Sequence, residues 1–310
     1  MLERLNRIVS KTIVPKGTGG SNPPPTAMEN VVIPNQGKFE ELKEKFKKDG
    51  IAKMHVLADF DKTLTYAFVD GKRIASLISV LRDNNYLTSD YPAKAKALFE
   101  KYYPIEINPA LPIEEKRQKM KQWWVEHFDL LIKSNLNIKD IERTVEHQDV
   151  VLRKKGVDFL NLLKEKNIPL VILSSSGLGE ESIKLYLEKR GLLFENIYII
   201  SNAFKWNELG YAVGIKKPII HTLSKNETMV KDFPDIFEKV KNRKNVLLLG
   251  DSISDNEMIT GFDYDNLIKI GFLNEKVEEN LENYKQNFDV VITNDSSIEF
   301  VNNFLKFLIE

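Results

Sequence analysis

Six short apolar runs constrain this chain more than any other feature: MHVLA at 54–58, PLVILS at 169–174, IYIIS at 197–201, NVLLLG at 245–250, LIKIG at 267–271 and DVVIT at 289–293. Each has strand length, and the apolar residues are nearly continuous, as suits strands buried on both faces. Helical stretches separate most of the runs, which argues for parallel strands joined by crossover helices and therefore for an α/β fold. One gap is different. Roughly a hundred residues, largely helical in pattern, lie between the first two runs, too many for a single crossover connection. They are expected to form an inserted cap over 66–168, leaving 36–65 and 169–310 as the α/β core.

A chain of 310 residues with 42% hydrophobic content can bury a sizeable core. Lysine plus arginine equals aspartate plus glutamate at 45 each, so no global field favours nucleic acid or an anionic membrane. The absence of cysteine removes disulfides, thiol catalysis and thiolate metal sites. The four histidines, His55, His127, His147 and His221, show no close ligand spacing. That argues against zinc and leaves an oxygen-ligated ion.

No apolar stretch approaches the roughly 20 residues of a membrane span, and the N-terminus lacks the core of a secretory signal. A cytoplasmic monomer is expected. In MLERLNRIVSKTIV, Leu2, Leu5, Ile8, Val9 and Ile13 fall at helical spacing. Glu3 and the short length argue against a transit peptide, so a helix that packs on the body or frays is expected there. The Gly- and Pro-rich stretch 15–26 reads as a linker within an N-terminal extension, 1–35. The folded body should begin near residue 36, with Phe39, Leu42 and Phe46 marking a helix that ends at Gly50.

Open parallel sheets bind ligands at the carboxyl ends of their strands, so the residues just after each run are informative. The first run leads into DFDKTLT, which places Asp59 and Asp61 where both reach one cavity. Two close carboxylates repel unless a cation or a shared proton relieves them, and Mg²⁺ suits such oxygens. Alone, Asp-x-Asp is a common turn composition. The second run ends in Ser174, Ser175 and Ser176 before Gly177, with a helix expected from near Gly179, a combination that suits an anion. The fourth ends in GDSISD, where Gly250 permits close approach and Asp251 and Asp255 offer further hard ligands. Lys225 in HTLSKNE, just before a helix expected near Asn226, is the candidate cation facing the anion.

DFDKTLT, ILSSSG, HTLSKNE and LLLGDSISD, in this order, resemble the four motifs of haloacid dehalogenase-like phosphohydrolases. Within them, KYYPIEINPALPIEEK at 101–116, the Trp123–Trp124 pair and KIGFLNEKVEE at 269–279 resemble the cytosolic 5'-nucleotidase III family of pyrimidine or 7-methylguanosine 5'-nucleotidases. The resemblance implies a Rossmann-like core with a helical cap inserted after the first motif. It implies that Asp59 is the nucleophile and that Asp61 is the acid and then the base. Mg²⁺ would be held by the Asp59 carboxylate, the Asp61 carbonyl and Asp251, with Asp255 beside it through water or as support for Asp251. Lys225 would pair with the nucleophile and the phosphoryl group. Family members resemble Ser-Ala-Gly where this chain has three serines, so the phosphate donor is Ser174 or Ser175, depending on the direction of counting.

The same resemblance makes Glu106 the acceptor of nucleobase N–H groups and Trp124 the stacking partner of the base. Met120, Trp124, Phe128 and Leu131 follow helical spacing, so Trp124 could equally be core. His127 stands where relatives place a small residue near the base, a departure that bears on base preference. The small-molecule partner implied is a nucleoside 5'-monophosphate. A dehalogenase would not need Asp61, and a phosphonatase would want a Schiff-base lysine in the cap. A nucleoside phosphotransferase, or a nucleotide-binding protein without turnover, is compatible with the same motifs.

Overall fold

The structure, a computed structural model, describes residues 30–310 apart from 75, 109, 148–149, 226–231 and 261–262. The helix expected near the N-terminus, the linker at 15–26 and the helix start expected at Asn226 lie outside the described residues.

The described residues begin with β1 (Val31–Val32) and α1 (Gln36–Asp49). Asn35 caps α1 by accepting the Lys38 N–H at 3.0 Å, and Gly50 ends it at φ 78°, a left-handed backbone that favours glycine. A short 3₁₀ turn leads into β2 (Met54–Ala58), all five residues of which are buried. A small hairpin, β3 (Phe68–Val69) and β4 (Lys72–Arg73), then opens a helical insertion. It comprises α2 (Leu77–Asp83), α3 (Tyr91–Ile107), α4 (Ile113–Lys133) and α5 (Ile138–Glu146). The chain returns through α6 (Gly156–Glu165), β5 (Leu170–Leu173), α7 (Gly179–Glu188) and β6 (Ile197–Ile200). A second hairpin, β7 (Phe204–Trp206) and β8 (Ala212–Ile215), precedes α8 (Pro234–Val240) and β9 (Asn245–Gly250). The chain closes with β10 (Asn266–Leu273), α9 (Val277–Asn287), β11 (Val290–Thr293) and α10 (Glu299–Ile309).

Among the described residues, seven strands form the central sheet in the order β1-β11-β10-β9-β2-β5-β6. All pair in parallel except β1, which runs antiparallel to β11 through Val31 opposite Ile292 and Val32 opposite Val291. The sheet therefore starts ahead of residue 36, where the folded body was expected to begin, and after the stretch expected to be linker. An edge strand this short carries too little periodicity to be read locally. Its partner lies some 260 residues downstream.

Side chains alternate across the sheet, so Val56, Ala58, Leu247 and Leu249 pack into one layer while Leu57, Val171, Val246 and Leu248 pack into the other. Helices cover both faces. From β2 the sheet grows one way through β5 and β6 and the other way through β9, β10 and β11. The β2/β9 boundary is thus the topological switch point, where crossovers diverge and leave a crevice at the strand ends.

The two chain segments that join the insertion to the sheet run side by side. Tyr66 N–H donates to Val151 O and Arg153 N–H to Leu64 O, both at 2.9 Å, around a bridge between Thr65 and Leu152. Among the described residues, no helix is long and apolar enough to cross a membrane.

Candidate active site

Asp59 follows β2 at the switch point and stays in register with the next strand, its N–H donating to Leu249 O at 3.0 Å. The alternation begun in β2 continues briefly. Phe60 is fully buried and packs edge-on against Tyr186 at 5.5 Å, which leaves Asp59 and Asp61 on the other side of the turn. The turn then passes through Lys62 in a left-handed conformation, φ 60°, uncommon for a residue with a side chain.

Arg153 holds that turn from beneath. Its fully buried guanidinium donates to Lys62 O, to Thr63 O at 2.7 Å, to Ser296 O at 2.6 Å and to Asn274 Oδ1 at 2.7 Å, and pairs with Asp295 at 3.0 Å. Asp295 in turn accepts the N–H groups of Ala67 and Phe68. Five donors in a rigid fork are what a cluster of carbonyls needs.

At the end of β9, a Cβ on Gly250 would lie 2.5 Å from the Asp255 Cβ, so only glycine allows the following turn to fold back so closely. Asp255 is the third residue of a 3₁₀ turn (Ile253–Ile259) capped by Ser252. Its Oδ2 accepts the N–H groups of Asp251 at 3.0 Å and Ser252 at 2.9 Å. Its Oδ1 accepts from the Lys225 ammonium at 2.6 Å, and Lys225 also donates to Asp59 Oδ1 at 2.8 Å.

Asp59, Asp251 and Asp255 each place a carboxylate oxygen within 4.8 Å of the others, with one lysine among them. Burial pushes the Asp251 carboxyl well above the ordinary range, and Asp255 and Asp59 push it further. Burial likewise raises Asp59 against the opposing pull of Lys225, and raises Asp61 against Lys62 and Lys225. Burial works against the Lys225 ammonium, but Asp255 and Asp59 outweigh it and hold its pKa above the ordinary lysine value. Buried carboxylate oxygens in excess of the available positive charge form a donor set suited to a hard divalent cation. Both oxygens of Asp255 are already engaged, so among the three its geometry is that of a support for Lys225 and the Asp251 turn.

Of the three serines after β5, Ser174 is buried and its N–H continues the ladder to Ile200 O at 3.0 Å. Ser176 is turned inward as well, its Oγ 3.2 Å from Ser182 Oγ and accepting the Leu178 N–H at 3.3 Å. Ser175 alone among them lines the large cavity, because strand alternation carries on for two residues past β5.

That cavity, about 970 Å³, joins Asp61 and Ser175 of the core to Glu106, Trp124 and His127 of the insertion. Met120, Phe128 and Leu131 bury the inner face of α4, while Trp124 is half-buried, packed on that core on one side and open to the cavity on the other. Its helical spacing thus serves the core and the cavity at once. His127 packs edge-on against Trp124 with centroids 5.6 Å apart. Its Nε2 lies 2.8 Å from Gly177 O; a carbonyl only accepts, so Nε2 carries the proton, and burial lowers the imidazole pKa. Glu106 sits in the last turn of α3, and its Oε1 accepts from the Thr222 hydroxyl at 2.9 Å.

Thr222 and Arg153 are not foreshadowed by any local sequence signal of function. Thr222 is part of the recognisable HTLSK segment, but its partner is 116 residues away. Arg153 has no local pattern at all. The β7–β8 hairpin did leave a signal, Asn207 to Gly210 between two short runs, with Gly210 at φ 78°.

A model of the UMPH-1 pyrimidine 5'-nucleotidase family matches residues 62–309, beginning one residue after Asp61. The human 7-methylguanosine phosphate-specific 5'-nucleotidase is 34% identical over 286 residues, covering 92% of this chain and 94% of the relative. A crystal structure of cytosolic 5'-nucleotidase IIIB bound to cytidine superposes with a TM-score of 0.83 at 27% identity, over 91% of this chain and 95% of that one. A HAD-family hydrolase from Salmonella enterica serovar Typhi shares the fold, with a TM-score of 0.52 at 14% identity, over 88% of this chain and 79% of the other.

Proposed function

Since the chain belongs to the pyrimidine 5'-nucleotidase family, an enzyme family of phosphomonoester hydrolases, we propose that it releases phosphate from pyrimidine or 7-methylguanosine 5'-monophosphates in the cytoplasm. One observation carries this reading: Asp61 and Ser175, beside the buried Asp59–Lys225 pair, line the same cavity as the carboxylate–indole pair Glu106 and Trp124. The first suits a phosphoryl group and the second a nucleobase.

Asp59 attacks phosphorus, forming an aspartyl-phosphate as the bond to the ribose 5'-oxygen breaks. Asp61 gives its proton to that oxygen. The burial that raises its pKa keeps the proton available. In the second half Asp61 takes a proton from water, which attacks the same phosphorus and returns Asp59 as a carboxylate. Lys225, held by Asp255, pairs with Asp59 and with a phosphoryl oxygen, and Ser175 donates to another as charge shifts. Mg²⁺ would be held by Asp59, the Asp61 carbonyl and Asp251, and when bound it supplies positive charge between the nucleophile and the phosphate.

At the far end of the cavity, Glu106 accepts N–H groups of the base and Trp124 stacks on its face. The positive ring of 7-methylguanine suits an indole face especially well. In a phosphate-release panel with UMP, CMP, GMP, AMP and 7-methyl-GMP, turnover should require Mg²⁺ and favour CMP, UMP or 7-methyl-GMP over AMP. A silent or base-indifferent panel would sink the proposal.

A further inference from the structure

Among the described residues, two hydrogen bonds join the inserted helices to the segment that precedes Lys225. Thr222 Oγ1 donates to Glu106 Oε1 on α3 at 2.9 Å, and Arg117 Nε on α4 donates to Leu223 O at 3.2 Å. Between these contacts and Lys225 the backbone is a tight turn. His221 N–H donates to Ser224 Oγ and Ser224 N–H to His221 O, each at 2.9 Å, and Leu223 N–H donates to His221 Nδ1 at 3.3 Å. Thr222 thus stands three residues from the ammonium that grips Asp59, on a turn with little freedom to flex.

Glu106 is placed where a carboxylate is least comfortable. It occupies the last turn of a helix of 17 residues with no basic side chain in that turn, so the helix carbonyls face it with negative charge. A donor is needed, and Thr222 supplies one. Binding one oxygen also restricts rotation of the carboxylate and so narrows the range of directions in which Oε2 can accept. A pre-set acceptor loses less freedom when it meets a donor than a freely rotating one does.

Resting on the nucleotidase reading above, we propose that Thr222 is a specificity-determining positioning residue: its hydroxyl orients Glu106 for the base and ties base recognition to the turn that carries Lys225. Thr222 need not touch the substrate. A base that satisfies Oε2 leaves the Thr222 contact intact, whereas one that pulls the carboxylate away strains the Lys225 turn.

The test is a double-substitution cycle on the full chain, read with CMP and 7-methyl-GMP. Thr222→Val and Thr222→Ala should each raise KM for the preferred nucleotide about tenfold, and Thr222→Ser should restore it to within about threefold. In a Glu106→Ala background, where the acceptor is already gone, the same substitutions should add less than about twofold. Loss of equal size in both backgrounds, or no loss in either, overturns the proposal. So does failure of both Val and Ala variants to fold while Thr222→Ser folds, because the hydroxyl then has a structural duty. A wild-type protein silent on every nucleotide overturns the nucleotidase reading and this inference with it; an active wild type with indifferent Thr222 variants overturns the inference alone.

Discussion

Asp255 holds the Lys225 ammonium at 2.6 Å with one carboxylate oxygen and gathers the N–H groups of Asp251 and Ser252 with the other. The lysine that faces Asp59 and the turn that offers Asp251 are therefore oriented by a single buried side chain.

Removing the lysine exposes what it was balancing. Lys225→Met should lower kcat for the preferred nucleotide by at least about 100-fold, since a charge aimed at the phosphoryl group is lost. It should also destabilise the protein by about 3–5 kcal/mol in chelator, because Asp59 and Asp255 remain buried without their partner. Urea denaturation with and without Mg²⁺ checks this, with Mg²⁺ expected to restore part of the loss.

Asp59→Asn should behave in the opposite way. A neutral amide relieves the crowding of carboxylates, so stability in chelator should be unchanged or higher, while phosphate release falls by at least about 1,000-fold. Mg²⁺ should raise the melting temperature of this variant less than that of wild type. Persisting turnover in pure Asp59→Asn protein would remove Asp59 from the role of nucleophile.

Arg153 links the turn after Asp61 to the base of the insertion. Arg153→Met leaves Asp295 without its cation and takes a donor from the carbonyls of Lys62, Thr63 and Ser296 in a buried site. A loss of about 3–5 kcal/mol is expected by urea denaturation. Because the turn carries Asp61, kcat should fall more than KM rises.

His55 gives the fold an acid-sensitive term. Burial lowers its pKa from 6.5 to about 4, and its Nδ1 lies 2.6 Å from Arg243 O. Below pH 6.5 the unfolded chain takes up a proton that the folded chain refuses, so stability falls as pH drops through that window and levels off near pH 4. Between pH 8 and pH 5 the loss attributable to His55 is about 2 kcal/mol. Urea midpoints of wild type and His55→Gln at the two pH values check it; an equal drop in both proteins would assign the acid sensitivity elsewhere.

The motifs of this site were legible because each lies at the end of an apolar run, and a strand end is a local event. Asp59, Asp61, Asp251 and Asp255 could be read that way, as could the helix from Gly179. The choice among the serines was not, since it depends on where β5 stops. Strand phase turns Ser174 and Ser176 inward and leaves Ser175 on the cavity. The remaining gaps have one cause. Arg153, Thr222 and β1 matter through partners 90 or more residues away, and no spacing rule reaches that far.

Those two residues at Val31–Val32 also protect the molecule from its neighbours. They occupy the outer edge of β11, whose sequence VVIT is apolar and β-branched, the composition that most readily recruits a second chain. Cutting the protein at residue 36 would spare every group proposed to act in catalysis yet strip this cover. The outcome to expect is not an inactive enzyme but a sticky one, prone to self-association through a bare strand edge.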